Sequence, residues 1–401
     1  MSKLWSNADK LSPIVETYTV GDDYILDNQL LPYDIEASRA HGKMLLKIGV
    51  LSEDEHAKIT EALEKIKSLH AAGKFSVAPD QEDCHTAIEQ FITENYGEAG
   101  KKIHTGRSRN DQAMAMLRLY AKDVLSEIDT GLQSLSKAYV HKAEEAMDVP
   151  MPGYTHMQKA MPTTVEAWLG GYAQAFSDLV PLVRATLELI DQNPLGSAAG
   201  FGLPGLELDK EYTTKELGFA RTQENPIYAG LSRGYFELAV IQVCELIMTL
   251  SGRFASDMLL FTTREFDYFS LPEQFTTGSS IMPNKRNYDL FEIMRGNGKI
   301  VSGYASQIQA IVAGIGSGFQ RDLQLSKGPF IKASELTKDT LAVLSEAVPA
   351  LNIHEDKLKA AMSEDLYATE KVYELVGKGV PFREAYLKVK KELFGEEAKN
   401  D

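Results

Sequence analysis

The stretch Tyr235–Phe261, "YFELAVIQVCELIMTLSGRFASDMLLF", is apolar on nearly every face when it is drawn as a helix. A helix at a protein surface carries one apolar stripe, whereas a helix that is apolar all round is buried on every side. The stretch therefore predicts a helix at the centre of a bundle. An all-α fold follows if other long helices surround it.

Long helical patterns do flank this stretch. From Met114 to Leu135 the apolar residues keep a spacing of three and four, which predicts one face of a long helix beginning near Gln112. Segments near 289–314 and 329–348 also have helical patterns. No convincing alternation of apolar and polar residues, which would predict a strand, is present. The middle of the chain therefore supplies about five helices, some near 30 residues long.

Two capping patterns predict where helices begin. Ser52 and Glu55 have the spacing of a capping box, in which each side chain satisfies the other residue's free amide. Thr163 and Glu166 repeat the spacing ahead of a second helical segment, and Pro181 predicts a kink or break within it.

Whole-chain properties exclude several classes of function. The 401 residues carry a net charge of −15 that is spread along the chain, which argues against nucleic acid or an anionic membrane as a partner. Cys84 and Cys244 lack the paired spacing of a zinc site or a disulfide framework, so a reducing cytoplasm fits best. The N-terminal "MSKLWSNADK" predicts no signal peptide, and we expect no membrane span.

Three polar segments are rich in chemically active side chains. In "HTGRSRNDQ", Arg107 and Arg109 flank Ser108, and Asn110 and Asp111 follow just before the long helix. Asn110 or Asp111 can simply cap that helix. The free amides of a helix N-terminus beside two guanidinium groups also make an anion site, and the residues leave both interpretations open.

The second segment, "GYTHMQKAMP", places Thr155 and His156 in a predicted loop bounded by Pro152 and Pro162. A lone histidine is more often structural than catalytic. The residues alone therefore do not decide its role.

The third segment, "GSSIMPNKRN" at 278–287, has a glycine and two serines ahead of Lys285, Arg286 and Asn287, and leads into a helix holding Glu292. It fits a mobile polar loop with a helix cap. It also fits a lid that brings a hydroxyl and an ammonium group onto an anionic substrate.

Together, "TGRSRND", "GYTHMQKA" and "GSSIMPNKRN" resemble the three signature regions of the fumarase/aspartase superfamily, in the same order. Within it the chain resembles the argininosuccinate lyases, including the δ-crystallins, because "TGRSRND" differs from the "GQSSND"-like form of fumarases and aspartases. Further matches at "LLPYDIEASRAHGKML", "EDCHTAIE", "NPLGS" and "GKGVPFREAY" extend the resemblance over nearly the whole chain.

The resemblance implies a role for each catalytic candidate. Ser279 is the general base that removes a proton from the carbon beside a carboxylate, and Lys285 is the counter-ion of the aci-carboxylate that forms. His156 and Glu292 are the histidine–carboxylate pair, and Thr155 and His156 are the candidates for proton return to the leaving nitrogen. The implied substrate-binding residues are Arg109, Asn110, Gln158, Asn287, Gln324 and Lys327.

The resemblance also implies the architecture and the reaction. It predicts an N-terminal helical domain at 1–103, a central helix-bundle domain at 104–352 and a small, shortened C-terminal helical domain at 353–401. Four central bundles form a twenty-helix core, so the protein is expected to be a homotetramer with active sites shared between subunits. The expected reaction splits argininosuccinate into arginine and fumarate without a metal or an organic cofactor.

Several positions depart from the family pattern. Phe319 replaces a tyrosine, Asp23 replaces an early substrate-binding serine, and Tyr288 replaces the proline of "KKNPD". Two alternatives therefore stay open. One is another lyase of the superfamily, acting on adenylosuccinate or on fumarate and malate, and the other is a catalytically silent, crystallin-like structural protein.

Overall fold

α-Helices carry most of the chain in the computed structural model, which describes residues 12–395. The all-α prediction is confirmed. The helices are α1 Pro13–Val20, α2 Asp23–Lys47, α3 Glu53–Ala71, α4 Cys84–Tyr96, α5 Arg109–Glu145, α6 Val165–Ser177, α7 Val180–Ile190, α8 Lys210–Glu216, α9 Pro226–Ser232, α10 Tyr235–Phe261, α11 Asp289–Val312, α12 Lys327–Ala347, α13 Glu355–Ala361, α14 Ala368–Gly377 and α15 Phe382–Phe394. The strands are β1 Pro150–Thr155, β2 Gln158–Thr164, β3 Gln192–Asn193, β4 Arg221–Thr222, β5 Phe269–Ser270 and β6 Asn352–Ile353.

The capping box that opens α3 forms as predicted. Ser52 Oγ accepts a hydrogen bond from the amide of Glu55 at 3.3 Å, and the Glu55 carboxylate accepts one from the amide of Ser52 at 2.9 Å. The second predicted box is wrong by one residue. Thr164 caps α6 by accepting from the amide of Ala167 at 3.0 Å, because the helix begins at Val165 and Thr164 is the residue directly before it.

The central apolar helix α10 has the predicted bounds, 235–261. Val240 and Ile247 on one face are fully buried, whereas Tyr235 and Leu246 on another are 45% and 46% exposed. The expected burial on every side is therefore not reached within a single chain.

The segment Pro226–Phe261 is long and apolar enough, by composition alone, to cross a membrane. Half of the most apolar 18-residue part of this segment is buried inside the protein. The core helix of a soluble protein can have the same length and the same apolar composition. This composition is thus weak support for a membrane span.

A β-hairpin occupies the segment that the sequence predicted to be a loop. Strands β1 and β2 pair in an antiparallel register from Pro150 opposite Thr164 to Thr155 opposite Gln158. The prolines in both strands and the absence of alternation hid the hairpin from the sequence, so that prediction is wrong.

The Cα positions group into two compact units. The first contains the described part of Met1–Asp129 together with Pro181–Leu246 and Ile300–Lys338. The second contains Thr130–Val180, Ile247–Lys299 and the described part of Asp339–Asp401. The three-domain division at 103 and 352 stays a prediction.

An aromatic cluster forms the core of the second unit beside the hairpin. The Trp168 ring stacks on Phe254 and Phe269, with ring centroids 5.7 and 5.0 Å apart. Tyr154 of β1 shares a hydroxyl hydrogen bond of 2.9 Å with Tyr268. Tyr154 is next to the last residue of β1, so this contact helps to fix the strand close to the turn at the tip of the hairpin.

Candidate active site

A cavity of about 140 Å³ lies within the first unit. Charged side chains of both signs dominate its wall, and four of the predicted substrate-binding residues line it. The lining residues are Asp23, Asp27, Glu82, Asp83, His85, Arg109, Asn110, Ala113, Arg233, Phe319, Arg321, Gln324 and Lys327.

Lys327 forms one wall of the cavity at the first residue of α12. Its side chain is 3% exposed, and its Nζ lies 2.7 Å from Asp23 Oδ1 and 2.5 Å from Asp27 Oδ1. Burial alone would lower the pKa of Lys327, but the two carboxylates raise it, so the ammonium group stays charged. Burial raises the pKa of Asp23.

Arg109 also lines the cavity, from the first residue of α5. Its guanidinium group lies 3.2 Å from Asp83 Oδ2 and 3.6 Å from Glu82 Oε2, and it donates a 2.5 Å hydrogen bond to Thr86 Oγ1. Asp83 also caps α4 by accepting from the amide of Thr86 at 2.8 Å. The guanidinium group is therefore held in place before any ligand arrives.

The residues just before α12 complete the cavity. Gln324 donates from Nε2 to the carbonyl oxygens of Thr19 and Val20, both at 3.3 Å. Arg321 donates to the Thr19 carbonyl at 3.0 Å and to Glu82 Oε1 at 2.6 Å. These bonds tie the end of α1 to the cavity wall.

A buried ion pair includes one of the lining residues of the cavity, His85. His85 Nδ1 lies 2.8 Å from Asp34 Oδ2, and both side chains are buried. Burial would raise the pKa of Asp34, but His85 and Arg107 lower it to about 2. Burial would lower the pKa of His85, but Asp34 raises it, so the two groups hold each other in their charged forms.

The start of α5 also answers the capping question. The Asp111 carboxylate accepts from the amides of Ser108 at 2.8 Å, Gly196 at 3.2 Å and Ala198 at 3.0 Å. Burial raises the pKa of Asp111 to about 6. Ser108 is the residue that precedes the helix, and Asp111, three residues later, satisfies its amide as the acidic residue of a capping box does. Arg109 and Asn110 line the cavity.

In the second unit, Thr155, His156 and Gln158 lie at the exposed tip of the hairpin. The two-residue turn consists of His156 and Met157, with φ angles of 53° and 61°. Two positive φ angles define a type I′ turn, which glycine and asparagine adopt most readily. The hairpin thus holds His156 in a conformation that costs conformational free energy.

The segment "GSSIMPNKRN" forms a loop that is closed at its base. Thr277 and Asn287 exchange two backbone hydrogen bonds, of 3.0 and 2.9 Å. Within the loop, Ser279 Oγ accepts from the amides of Ile281 at 3.3 Å and Met282 at 3.1 Å. The serine hydroxyl is therefore the centre of a small backbone-amide nest.

The other predicted residues of this region lie within the loop, at its base or just beyond it. Lys285 is exposed within the loop, and Glu292 is exposed in the first turn of α11. Tyr288 stands where the family has proline, and its hydroxyl accepts from the Leu271 amide at 3.4 Å. Tyr288 thus anchors the end of the loop by a side-chain contact.

The structure brings together Arg109, Asn110, Gln324 and Lys327 in one cavity. None of the other seven predicted site residues belongs to the lining of that cavity. Those seven lie on the hairpin, the loop and the start of α11; they are Thr155, His156, Gln158, Ser279, Lys285, Asn287 and Glu292.

Sequence reasoning missed several charged residues of the cavity: Asp27, Glu82, Asp83, His85, Arg233 and Arg321. The segment "EDCHTAIE" offered a signal, since two adjacent carboxylates precede a helix start there. Arg233 is buried beside Glu237, with Nε 3.2 Å from Oε1, and nothing in its sequence neighbourhood marks it.

Comparison with known proteins places this chain in a family. The profile of the lyase family matches residues 7–303. The chain is 42% identical to the argininosuccinate lyase of Thermotoga neapolitana, over 98% of this chain and 99% of that protein. It is 44% identical to the argininosuccinate lyase of Stenotrophomonas maltophilia, over 93% of this chain and 86% of that protein.

Solved structures agree on the fold. A variant EDDS lyase with bound fumarate superposes with a TM-score of 0.79 at 25% identity, covering 95% of this chain and 76% of that chain. A class II fumarase from Schistosoma mansoni superposes with a TM-score of 0.78 at 18% identity, covering 95% of this chain and 92% of that one.

Proposed function

This chain belongs to the argininosuccinate lyase family, and we propose that it cleaves argininosuccinate to arginine and fumarate. The observation that carries the proposal is the identity of 42% over 98% of the chain to a protein of that name. The cavity supports it, because walls that carry both carboxylates and cations suit a substrate that has carboxylates and a guanidinium group of its own.

Ser279 is the proposed general base. A serine hydroxyl is normally too weak an acid to lose its proton and act as a base near neutral pH. The two amides that donate to Ser279 Oγ stabilise negative charge on that oxygen, and hydrogen bonds to the charged form of a group lower its pKa. This geometry supports a serine that removes the proton from the carbon beside a substrate carboxylate.

Lys285 is the proposed counter-ion of the aci-carboxylate. Loss of the carbon-bound proton leaves two negative charges on one carboxylate group, and a positioned ammonium group stabilises them as they develop. Lys285 is six residues from Ser279 in the same closed loop, so one loop movement would bring both groups to the substrate.

His156, Glu292 and Thr155 are proposed for the leaving-group side of the reaction. A carboxylate beside an imidazole favours its charged form, which can return a proton to the leaving nitrogen. The arginine leaving group needs little help, because its guanidinium group is a stabilised cation.

The proposed contacts with the substrate use the remaining site residues. Two cations of the cavity, Arg109 and Lys327, suit carboxylate groups of the substrate. The neutral side chains suit positioning through hydrogen bonds; they are Asn110, Gln158, Asn287 and Gln324.

We also propose a cytoplasmic homotetramer whose active sites are shared between subunits. The exposed apolar side chains Tyr235 and Leu246 of α10 and Ile293 and Ile300 of α11, which are 45–63% exposed, favour burial against other copies of the chain. A site completed by several subunits would require that assembly for activity.

The test is fumarate release by the purified protein, followed by its ultraviolet absorbance, with argininosuccinate, adenylosuccinate and malate supplied in turn. We expect release from argininosuccinate alone, and a Ser279→Ala variant that still binds the substrate but turns over at a small fraction of the rate. Release from adenylosuccinate or malate instead would move the chain to another activity of the superfamily.

A further inference from the structure

Glu82 has an unusual backbone conformation at the edge of the cavity. Its φ and ψ angles are 70° and −48°, and the Asp83 amide donates to the Gln81 carbonyl at 2.8 Å across it. A hydrogen bond from residue i+2 to residue i around a positive central φ defines the rarer and more strained of the two γ-turns. Glycine adopts such angles with little penalty, whereas a residue with a side chain does so at a conformational cost.

The turn lets two adjacent carboxylates reach the same arginine. Successive side chains of an extended segment point to opposite sides. Around the γ-turn, Glu82 Oε2 and Asp83 Oδ2 lie 3.6 and 3.2 Å from the Arg109 guanidinium group. Asp83 also caps α4, through the hydrogen bond that its carboxylate accepts from the Thr86 amide. The strained conformation is therefore linked to the placement of Arg109.

Glu82 also contacts a second arginine of the cavity. Its Oε1 accepts from Arg321 at 2.6 Å, while its Oε2 faces Arg109. The Glu82 side chain is 9% exposed, whereas the side chains of Arg109 and Arg321 are 33% and 51% exposed, so one nearly buried carboxylate joins two partly exposed guanidinium groups. Strained residues that persist in a folded protein cluster at ligand-binding sites, where the strain maintains a required geometry.

We propose that Glu82 is a positioning residue for substrate binding, which orients Arg109 and Arg321 toward a carboxylate-bearing ligand in the cavity. This inference rests on the proposed function for the identity of that ligand. Glu82 does not need to touch the substrate, because it acts through the two guanidinium groups that it holds.

The test compares Glu82→Gln, Glu82→Gly and the exposed control Glu53→Gln in the full-length protein, by KM and kcat for argininosuccinate. The Kd for argininosuccinate is measured by calorimetry with the same changes in the Ser279→Ala protein, in which the substrate is not consumed. We expect both Glu82 variants to raise KM and Kd about tenfold, with kcat within about threefold of the wild type, because a charge-assisted contact that orients the ligand site is lost. Glu53→Gln should match the wild type. Glu82→Gly should melt at a higher temperature than Glu82→Gln, because glycine relieves the positive φ.

A double-variant cycle distinguishes positioning from general structural support. If Glu82 acts through Arg109 and Arg321, adding Glu82→Gln to a variant that already carries Arg109→Lys and Arg321→Lys should raise KM by less than twofold further. A further rise in KM as large as that of Glu82→Gln alone, a Kd that Glu82→Gln leaves unchanged, or no measurable binding by the Ser279→Ala protein would overturn the inference. Absence of fumarate release by a wild type that still binds argininosuccinate would reject the proposed function, and the Kd comparison would still test the role of Glu82.

Discussion

Removal of the Asp34 charge is expected to destabilise the protein by an amount that depends on pH. The Asp34–His85 pair is buried, with 2.8 Å between the oxygen and the nitrogen. Replacing one partner of a buried ion pair by a neutral residue leaves an uncompensated charge, which costs about 3–5 kcal/mol of unfolding free energy. Asp34→Asn keeps the shape of the side chain and isolates the loss of charge.

The pH dependence follows from the direction of each pKa shift. The raised pKa of His85 contributes stability that is fully present below its unfolded value of about 6.5 and is lost as pH rises through the folded value. The lowered pKa of Asp34, about 2, contributes stability above its unfolded value that is lost only as pH falls toward 2. In Asp34→Asn the buried imidazole can lose its proton at high pH, so the penalty should be largest near pH 6 and clearly smaller near pH 9.

The assay is urea unfolding followed by circular dichroism of the helices, at pH 6 and pH 9 and at one protein concentration. The exposed Asp80→Asn is the matched control and should change the unfolding free energy by less than about 0.5 kcal/mol. A loss below about 1 kcal/mol in Asp34→Asn at pH 6, or the same loss at both pH values, would refute the assignment of a charged pair.

Three further substitutions test other parts of the account. Met157→Gly should raise the unfolding free energy by about 1 kcal/mol, because glycine relieves the positive φ of the hairpin turn; a decrease in urea unfolding would argue against strain there. Asp23→Ser should lower KM for argininosuccinate several-fold by leaving Lys327 with one carboxylate partner, and an unchanged or higher KM in steady-state kinetics would contradict that. Leu246→Glu should dissociate the proposed tetramer and abolish turnover, as judged by light scattering and activity; an active monomer would reject the shared site.

The helical part of the fold could be predicted because its signals are local. The bounds of α10 and the cap of α3 agree with the sequence analysis, since apolar periodicity and capping side chains act within a few residues. The β1–β2 hairpin could not be predicted in this way. Its turn uses His156 and Met157 at positive φ angles, where the usual glycine or asparagine signal is absent.

The contacts around the cavity could not be predicted from the sequence either, because they join residues that are far apart in the chain. Arg109 and Lys327 were found from motifs, but the carboxylates that hold them come from distant segments. Glu82 and Arg321 are 239 residues apart in the chain, and Lys327 and Asp27 are 300 residues apart. Such contacts depend on how the helices pack, and no local pattern specifies them.

The stoichiometry of the products tests the central claim most directly. Purified wild-type protein and argininosuccinate can be followed by proton NMR, which detects arginine, fumarate and the remaining substrate in one sample. We predict that arginine and fumarate appear in equal amounts as the substrate disappears, and that Ser279→Ala stops both signals together. Unchanged substrate with the wild type, or one product without the other, would contradict the account.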